Sequence, residues 1–198
     1  MSTPRVGAPI DRGIAETRIL DGTGASVAVG SFWAKGPCLL VLLRHFGCVG
    51  CAEQMTELAP RLGDLAHVGV RTVLVGNGTP EQLAAFVERH ALQGAPVEVT
   101  TDPSLALYRA LQLRRSAWAT IGPRALVDMA RAMTAGHPHR PVEGDSTQQG
   151  GVLLVDGRGI VRFFHSNRSL GDHADTSDLV EIALKLRIEA SSDAAARV

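Results

Sequence analysis

The chain has 198 residues, 45% hydrophobic and 20% charged, the balance of a soluble globular domain with one core. Lys+Arg and Asp+Glu stand at 20 each, so no net field favours nucleic acid or an anionic membrane surface, and neither is expected as a partner. The apolar runs are strand-sized, far short of the roughly 20 residues that span a bilayer, and three cysteines make no structural disulfide framework, so a cytoplasmic, reducing setting is expected.

Residues 1–13 mix Pro, Gly and charge without periodicity and read as a flexible lead-in to a single domain over 14–189. Two β-prone runs, Glu16–Leu20 and Val27–Val29, flank Asp21-Gly22-Thr23-Gly24 and predict an N-terminal β-hairpin. The run Cys38–Arg44 is apolar on both faces and predicts a buried central strand. From Cys51 to about Ala66, Met55, Leu58, Ala59, Leu62 and Leu65 recur at helical spacing, with Pro60 predicting a kink. Val70–Val75 reads as a strand, and Thr79 and Pro80 cap and open a helix to His90. A strand at Val97–Thr101 and a helix from Asp102-Pro103 to about Leu111 follow.

Residues 114–149 break this rhythm and read as an insert, a helix over Arg124–Ala135 and a polar loop, covering a site. Val152–Val155 and Ile160–His165 around Asp156-Gly157-Arg158-Gly159 predict a second hairpin, and a closing helix runs from Thr176 to about Leu186. The small, polar residues 190–198 read as a flexible tail. Helix-linked strands followed by a hairpin predict an α/β fold with a mixed sheet, part parallel and part antiparallel.

The chemistry concentrates at Cys48-Val-Gly-Cys51. Gly47 is expected to take turn angles that a side chain forbids. A helix start at Cys48 offers unpaired N–H groups and the positive end of the macrodipole, which favour a thiolate. Two cysteines at this spacing can close a disulfide, one attacking and the other resolving. Arg44 and His45 are placed to lower a thiol pKa and orient a substrate oxygen. His165, Arg168 and His173 border the last strand as a polar rim, and Cys38 reads as a small buried hydrophobe. The alternative is a zinc-stabilised binding module, with His137 and His139 adding ligands to the cysteines.

Three anchors occur in order: Arg44-His45-Phe46-Gly47 before the dithiol; Glu143-Gly-Asp145 with Gln149-Gly150-Gly151; and His165-Ser-Asn-Arg168 with Gly171-Asp-His173. Over residues 15–188 the chain resembles thioredoxin-like proteins, and within them the peroxiredoxin-like branch of the alkyl hydroperoxide reductase/thiol-specific antioxidant (AhpC/TSA) family. The resemblance implies a thioredoxin-like fold, a central mixed sheet flanked by helices, with the N-terminal β-hairpin and helical insert added. It implies reduction of a hydroperoxide, or of a disulfide in the thioredoxin manner. An external thiol reductant of thioredoxin or glutathione type would restore the dithiol, with no cofactor, and a homodimer is among the assemblies it allows. Cys48, Cys51, Arg44 and His45 would be catalytic; Phe46, Gly47, Gln149, Gly150 and Arg168 would meet substrate.

The departures are specific. In the Pro-x-x-x-Thr-x-x-Cys loop of ordinary peroxiredoxins, the attacking Cys falls on Cys51, the Thr on Cys48 and the Pro on Arg44. The arginine many of them carry before the hairpin strand falls on Gly150, so its charge must come from elsewhere or be absent, with Arg44 and Arg168 the candidates. The thioredoxin pattern makes Cys48 the attacking residue; the peroxiredoxin pattern makes it Cys51, oxidised to a sulfenic acid with which Cys48 condenses. Gln149-Gly150-Gly151 stands where a thioredoxin has its cis-proline.

Overall fold

The computed structural model describes residues 2–118, 122–136 and 141–195. Its central strand, β3 (Cys38–Leu42), is buried along its whole length. Two strands precede it, β1 (Arg18–Leu20) and β2 (Ser26–Ala28), which form the expected N-terminal hairpin. After it come β4 (Arg71–Gly76), β5 (Val97–Thr101), β6 (Gly151–Val155) and β7 (Val161–Ser166). The sheet order is β2-β1-β5-β4-β3-β6-β7. β3 runs parallel to β4 and antiparallel to β6, so the parallel and antiparallel halves meet at β3.

Side chains alternate across a strand, and β3 divides accordingly. Leu39, Val41 and Leu43 enter an apolar layer on one face; Cys38, Leu40 and Leu42 enter another on the opposite face. The single core expected from composition is thus two layers separated by the sheet. The first face carries α2 (Val49–Leu58), α3 (Leu62–His67), α4 (Pro80–Arg89) and the closing helix α7 (Thr176–Ala195). The second carries α1 (Arg12–Glu16) and α5 (Ala106–Ala110). The inserted helix α6 (Pro123–Thr134) rests Met129 and Ala132 on the first layer and leaves Leu126, Val127 and Met133 exposed.

Local chemistry explains most boundaries. Pro60 has no N–H to donate and sits in a 3-10 turn, Ala59–Arg61, that separates α2 from α3, the expected kink. Thr79 caps α4 in a full capping box: its hydroxyl accepts from the Gln82 N–H at 3.4 Å, and the Gln82 side chain accepts from the Thr79 N–H at 2.9 Å. The helix read from Asp102 begins later, at Ala106, because the Asp102 carboxylate accepts from Ser104 Oγ at 2.6 Å and from the Leu107 N–H at 2.8 Å, holding a turn first.

The two ends differ from the sequence reading. The lead-in carries α1, capped by Asp11, whose carboxylate accepts from the Gly13 N–H at 2.8 Å. Gly7 and Ile10 donate to the Val161 and Gly159 carbonyls, each at 2.8 Å, so this segment lies beside β7. One helical turn is too short to show periodicity, which is why this segment reads in sequence as a lead-in. At the other end α7 continues to Ala195, past Leu186, through a stretch whose alanines favour helix.

Candidate active site

β3 gives way to a tight turn at Arg44–Gly47 and then to α2. Leu43 stays beside β4, its N–H donating to the Val75 carbonyl at 2.8 Å. The hydroxyl of Tyr108, the one tyrosine in the sequence, lies 2.7 Å from the Leu43 carbonyl and 2.8 Å from that of Val75, pinning the strand end from below. Asn77, just past β4, donates to the Arg44 carbonyl at 2.6 Å. Cys48 is the N-cap residue of α2, with its N–H bonded to the His45 carbonyl at 3.1 Å, and Cys51 lies in the first turn.

The sulfurs are covered, Cys48 being 4% and Cys51 1% exposed, and neither is in a disulfide. Their environments differ. The Cys51 thiol hydrogen-bonds to Cys48, and this, with the Arg44 charge and the first-turn N–H groups of Cys51 and Gly50, outweighs burial and lowers the Cys48 pKa to about 6. Cys51 is pushed well above the ordinary thiol range: it gives its proton to that bond, it is buried, and it faces the Cys48 charge. The pair therefore holds one proton, on Cys51, beside a Cys48 thiolate. Cys38, by contrast, is raised to about 12 by burial, which fits an inert core residue.

Arg44 is 1% exposed and lines the site. Its backbone N–H donates to Cys51 Sγ at 3.2 Å, and its guanidinium reaches Cys48 Sγ at 4.0 Å. The same guanidinium donates to the carbonyls of Ser146 at 3.0 Å and Gln148 at 3.4 Å. A buried arginine is thus held by the loop that follows α6. His45 is also buried, not solvated as a strand end often is, and closes the turn through its carbonyl.

The expected substrate-contacting residues divide between this turn and positions away from it. Phe46 is buried, its ring 5.1 Å from that of Phe86, and its carbonyl accepts from Arg89 Nη2 at 3.1 Å. Gly47 is required for a different reason from the one expected: its φ is not positive, but a Cβ there would collide with the Pro141 carbonyl. Gln149 is buried and donates from Nε2 to the carbonyls of Thr147 at 3.2 Å and Ser116 at 3.5 Å, joining the two ends of the insert. A Cβ at Gly150 would strike the Leu42 carbonyl, so the arginine that related proteins carry there has no room. Arg168 does not replace it: its side chain is 73% exposed and bound to Asp172 at 3.0 Å. Arg44, in contrast, reaches Cys48 Sγ.

Two contributors, Asn77 and Arg89, escape the sequence reading. Asn77 receives the Asp145 N–H at 3.0 Å as well as holding Arg44, and Gly76-Asn77-Gly78 reads in sequence only as a turn. Arg89 pairs with Glu143 across the site. The polar rim is real on one side: His173 is buried, and its Nδ1 lies 3.4 Å from Asn167 Nδ2. Burial, with the charges of Arg44 and Arg131, outweighs Asp172 and lowers the His173 pKa to about 4, so this imidazole is neutral. Among the described residues no group of three or more His, Cys, Asp and Glu could hold a metal ion, and His137 and His139 lie outside them. No helix among them is long and apolar enough to cross a membrane.

A mixed sheet with a dithiol at the N-terminus of the helix after its central strand defines a thioredoxin-like protein. The chain belongs to the AhpC/TSA antioxidant enzyme family, whose model matches residues 57–169. That match begins after the dithiol, so it rests on the scaffold, the insert and the hairpin. Human prostamide/prostaglandin F synthase is 32% identical over 167 residues, 81% of each chain. Human peroxiredoxin-like 2C is 27% identical over 194 residues, 91% of this chain and 83% of that one. The crystal structure of peroxidoxin BcpB from Mycobacterium tuberculosis superposes with a TM-score of 0.65 at 12% identity, covering 92% of this chain and 98% of that one, a likeness of fold. Membership supports a thiol peroxidase-like role, which implies a peroxide substrate and a thiol reductant.

Proposed function

We propose that the chain is a thiol-dependent peroxidase that reduces hydroperoxides through Cys48 and Cys51. The observation that carries this reading is a dithiol at a helix start facing one buried arginine, whose guanidinium stands 4.0 Å from Cys48 Sγ and whose N–H stands 3.2 Å from Cys51 Sγ, a setting that lowers Cys48 and raises Cys51. The Cys48 thiolate attacks one peroxide oxygen: an S–O bond forms, the O–O bond breaks, and the leaving alkoxide takes a proton to become an alcohol. Sulfur is oxidised to a sulfenic acid. The Cys51 thiol then attacks that sulfur, the S–S bond forms and water leaves. Two external thiols of glutathione type, small enough to reach the covered sulfurs, return the electrons and leave as a disulfide. Arg44 orients the peroxide and stabilises the developing negative charge. This order follows the thioredoxin pattern of attack, with Cys51 resolving, and reverses the one implied by the peroxiredoxin loop.

The same dithiol could exchange with protein disulfides, but covered sulfurs favour a small hydroperoxide over a bulky partner. Three unpaired cysteines suit a reducing compartment such as the cytoplasm. Mass spectrometry after one equivalent of hydrogen peroxide tests the reading. In Cys51→Ser the sulfenic acid should be trapped by dimedone on Cys48, and Cys48→Ser should lose turnover. Oxidation first at Cys51 would overturn the order. Stoichiometric zinc with both thiols blocked would instead favour the binding module.

A further inference from the structure

The segment 141–148 packs against the dithiol turn, its Pro141 carbonyl standing where a Cβ on Gly47 would be, and is fastened to it at several points. The Phe46 N–H donates to the Glu143 carbonyl at 3.2 Å, and Asn77 bonds Arg44 on one side and Asp145 on the other. The Arg44 guanidinium holds the carbonyls of Ser146 and Gln148. Most of these bonds use backbone groups. The exception is an ion pair: Arg89, in the last turn of α4, donates from Nη1 to Glu143 Oε1 at 3.1 Å and from Nη2 to Glu143 Oε2 at 2.8 Å. Both side chains are only 18% exposed, and Arg89 Nη2 also reaches the Phe46 carbonyl. One guanidinium therefore joins the covering segment and the turn that carries Cys48.

Fork-on-fork pairing of Arg with a carboxylate is directional, and at this depth it is less screened than a surface pair. The Arg89 bonds run to the covering segment and the turn: Glu143 on one side, the Phe46 carbonyl on the other. We infer that Arg89 and Glu143 are the specificity-determining pair of the site, holding segment 141–148 over the dithiol so that small hydroperoxides reach Cys48 and protein disulfides do not. The inference rests on the proposed peroxidase reading for its substrates, and on packing alone for its steric claim.

The two are separated by measuring access to Cys48 without turnover. Alkylation at pH 7 is followed by mass spectrometry with iodoacetamide as the small probe and a polyethylene-glycol maleimide of a few kilodaltons as the large one. In the wild-type chain the large probe should react far more slowly at Cys48 than with a free thiol in solution. Arg89→Ala should raise the ratio of large-probe to small-probe rate about tenfold, as expected for loss of a partly buried charge-assisted pair. Glu143→Gln, which keeps size and hydrogen-bonding groups, should raise it less, and its unchanged melting temperature would show that the fold is kept. Both variants should gain reduction of insulin disulfides relative to hydrogen peroxide consumption. An unchanged ratio in both variants, or equal access of both probes in the wild type, overturns the inference. Size-dependent alkylation in a protein that consumes no peroxide would sink the peroxidase reading and leave the pair's role standing.

Discussion

Arg44 bonds Cys51 through its backbone and Cys48 through its side chain, the first at 3.2 Å and the second at 4.0 Å. A substitution at this residue therefore separates the two effects, because only the guanidinium is lost.

In Arg44→Met the charge that helps hold the Cys48 thiolate disappears while the bond to Cys51 stays. The Cys48 pKa should rise, read from thiolate absorbance at 240 nm against pH, and peroxide reduction should fall roughly 10- to 100-fold. The carbonyls of Ser146 and Gln148 also lose a donor, so stability should drop by about 1–3 kcal/mol. An unmoved thiolate titration would exclude an electrostatic role for Arg44.

The Cys48 pKa of about 6 fixes a pH profile. Below it the thiol is protonated and slow; above it the thiolate fraction saturates. Iodoacetamide labelling of Cys48 should climb between pH 5 and pH 7 and then flatten, whereas an ordinary thiol climbs through roughly pH 8–9. Cys51→Ala removes the strongest of the lowering contacts and should shift the climb to higher pH.

His173 ties stability to acidity. Its folded-state pKa is lowered to about 4, while an unfolded histidine titrates near 6.5. Above pH 6.5 it is neutral in both states and its burial carries no protonation cost. Between about pH 6.5 and 4 the unfolded chain takes a proton that the folded one refuses, so stability falls across that window, by on the order of 2–3 kcal/mol at its foot. Asp172, Arg44 and Arg131 are the charges that act on it. Urea denaturation at pH 7.5, 5.5 and 4.5 should show a shallower decline in His173→Gln than in the wild type; parallel declines would refute the assignment.

Asn77→Ala should cost on the order of 2–3 kcal/mol, since its side chain bonds the Arg44 carbonyl, the Asp145 carbonyl and the Asp145 N–H with little water to replace it. Thermal melts with and without the substitution measure this directly. A loss below a few tenths of a kilocalorie per mole would mean that the turn and the covering segment hold each other without it.

Strand and helix were legible wherever one period ran long enough: Cys38–Leu42, Arg71–Gly76 and Pro80–Arg89 fall where apolar pattern and caps put them. The dithiol at a helix start was legible too, because Cys-x-x-Cys after a buried strand has local meaning. Its wiring was not. Arg44 was visible as a charge at a strand end, but that it would be buried depends on carbonyls more than 100 positions away. Arg89 reads in sequence as a favourable helix C-terminal charge, and nothing local pairs it with Glu143. Arg168 misled for the converse reason: its motif lies near the site in sequence pattern, while Asp172, four residues on, takes its guanidinium at the surface.

The antiparallel pairing of β3 with β6 sets when this chemistry can begin. During synthesis the dithiol leaves the ribosome with Arg44 beside it, but Ser146, Gln148 and the strand that registers Leu42 opposite Gly151 come about half a chain later. Until then Arg44 has no carbonyls to fix it, and its share in lowering the Cys48 pKa is unsecured, whereas the contacts from Cys51 and Gly50 are local to α2. The full electrostatic setting of Cys48 is thus in place only when the sheet is complete.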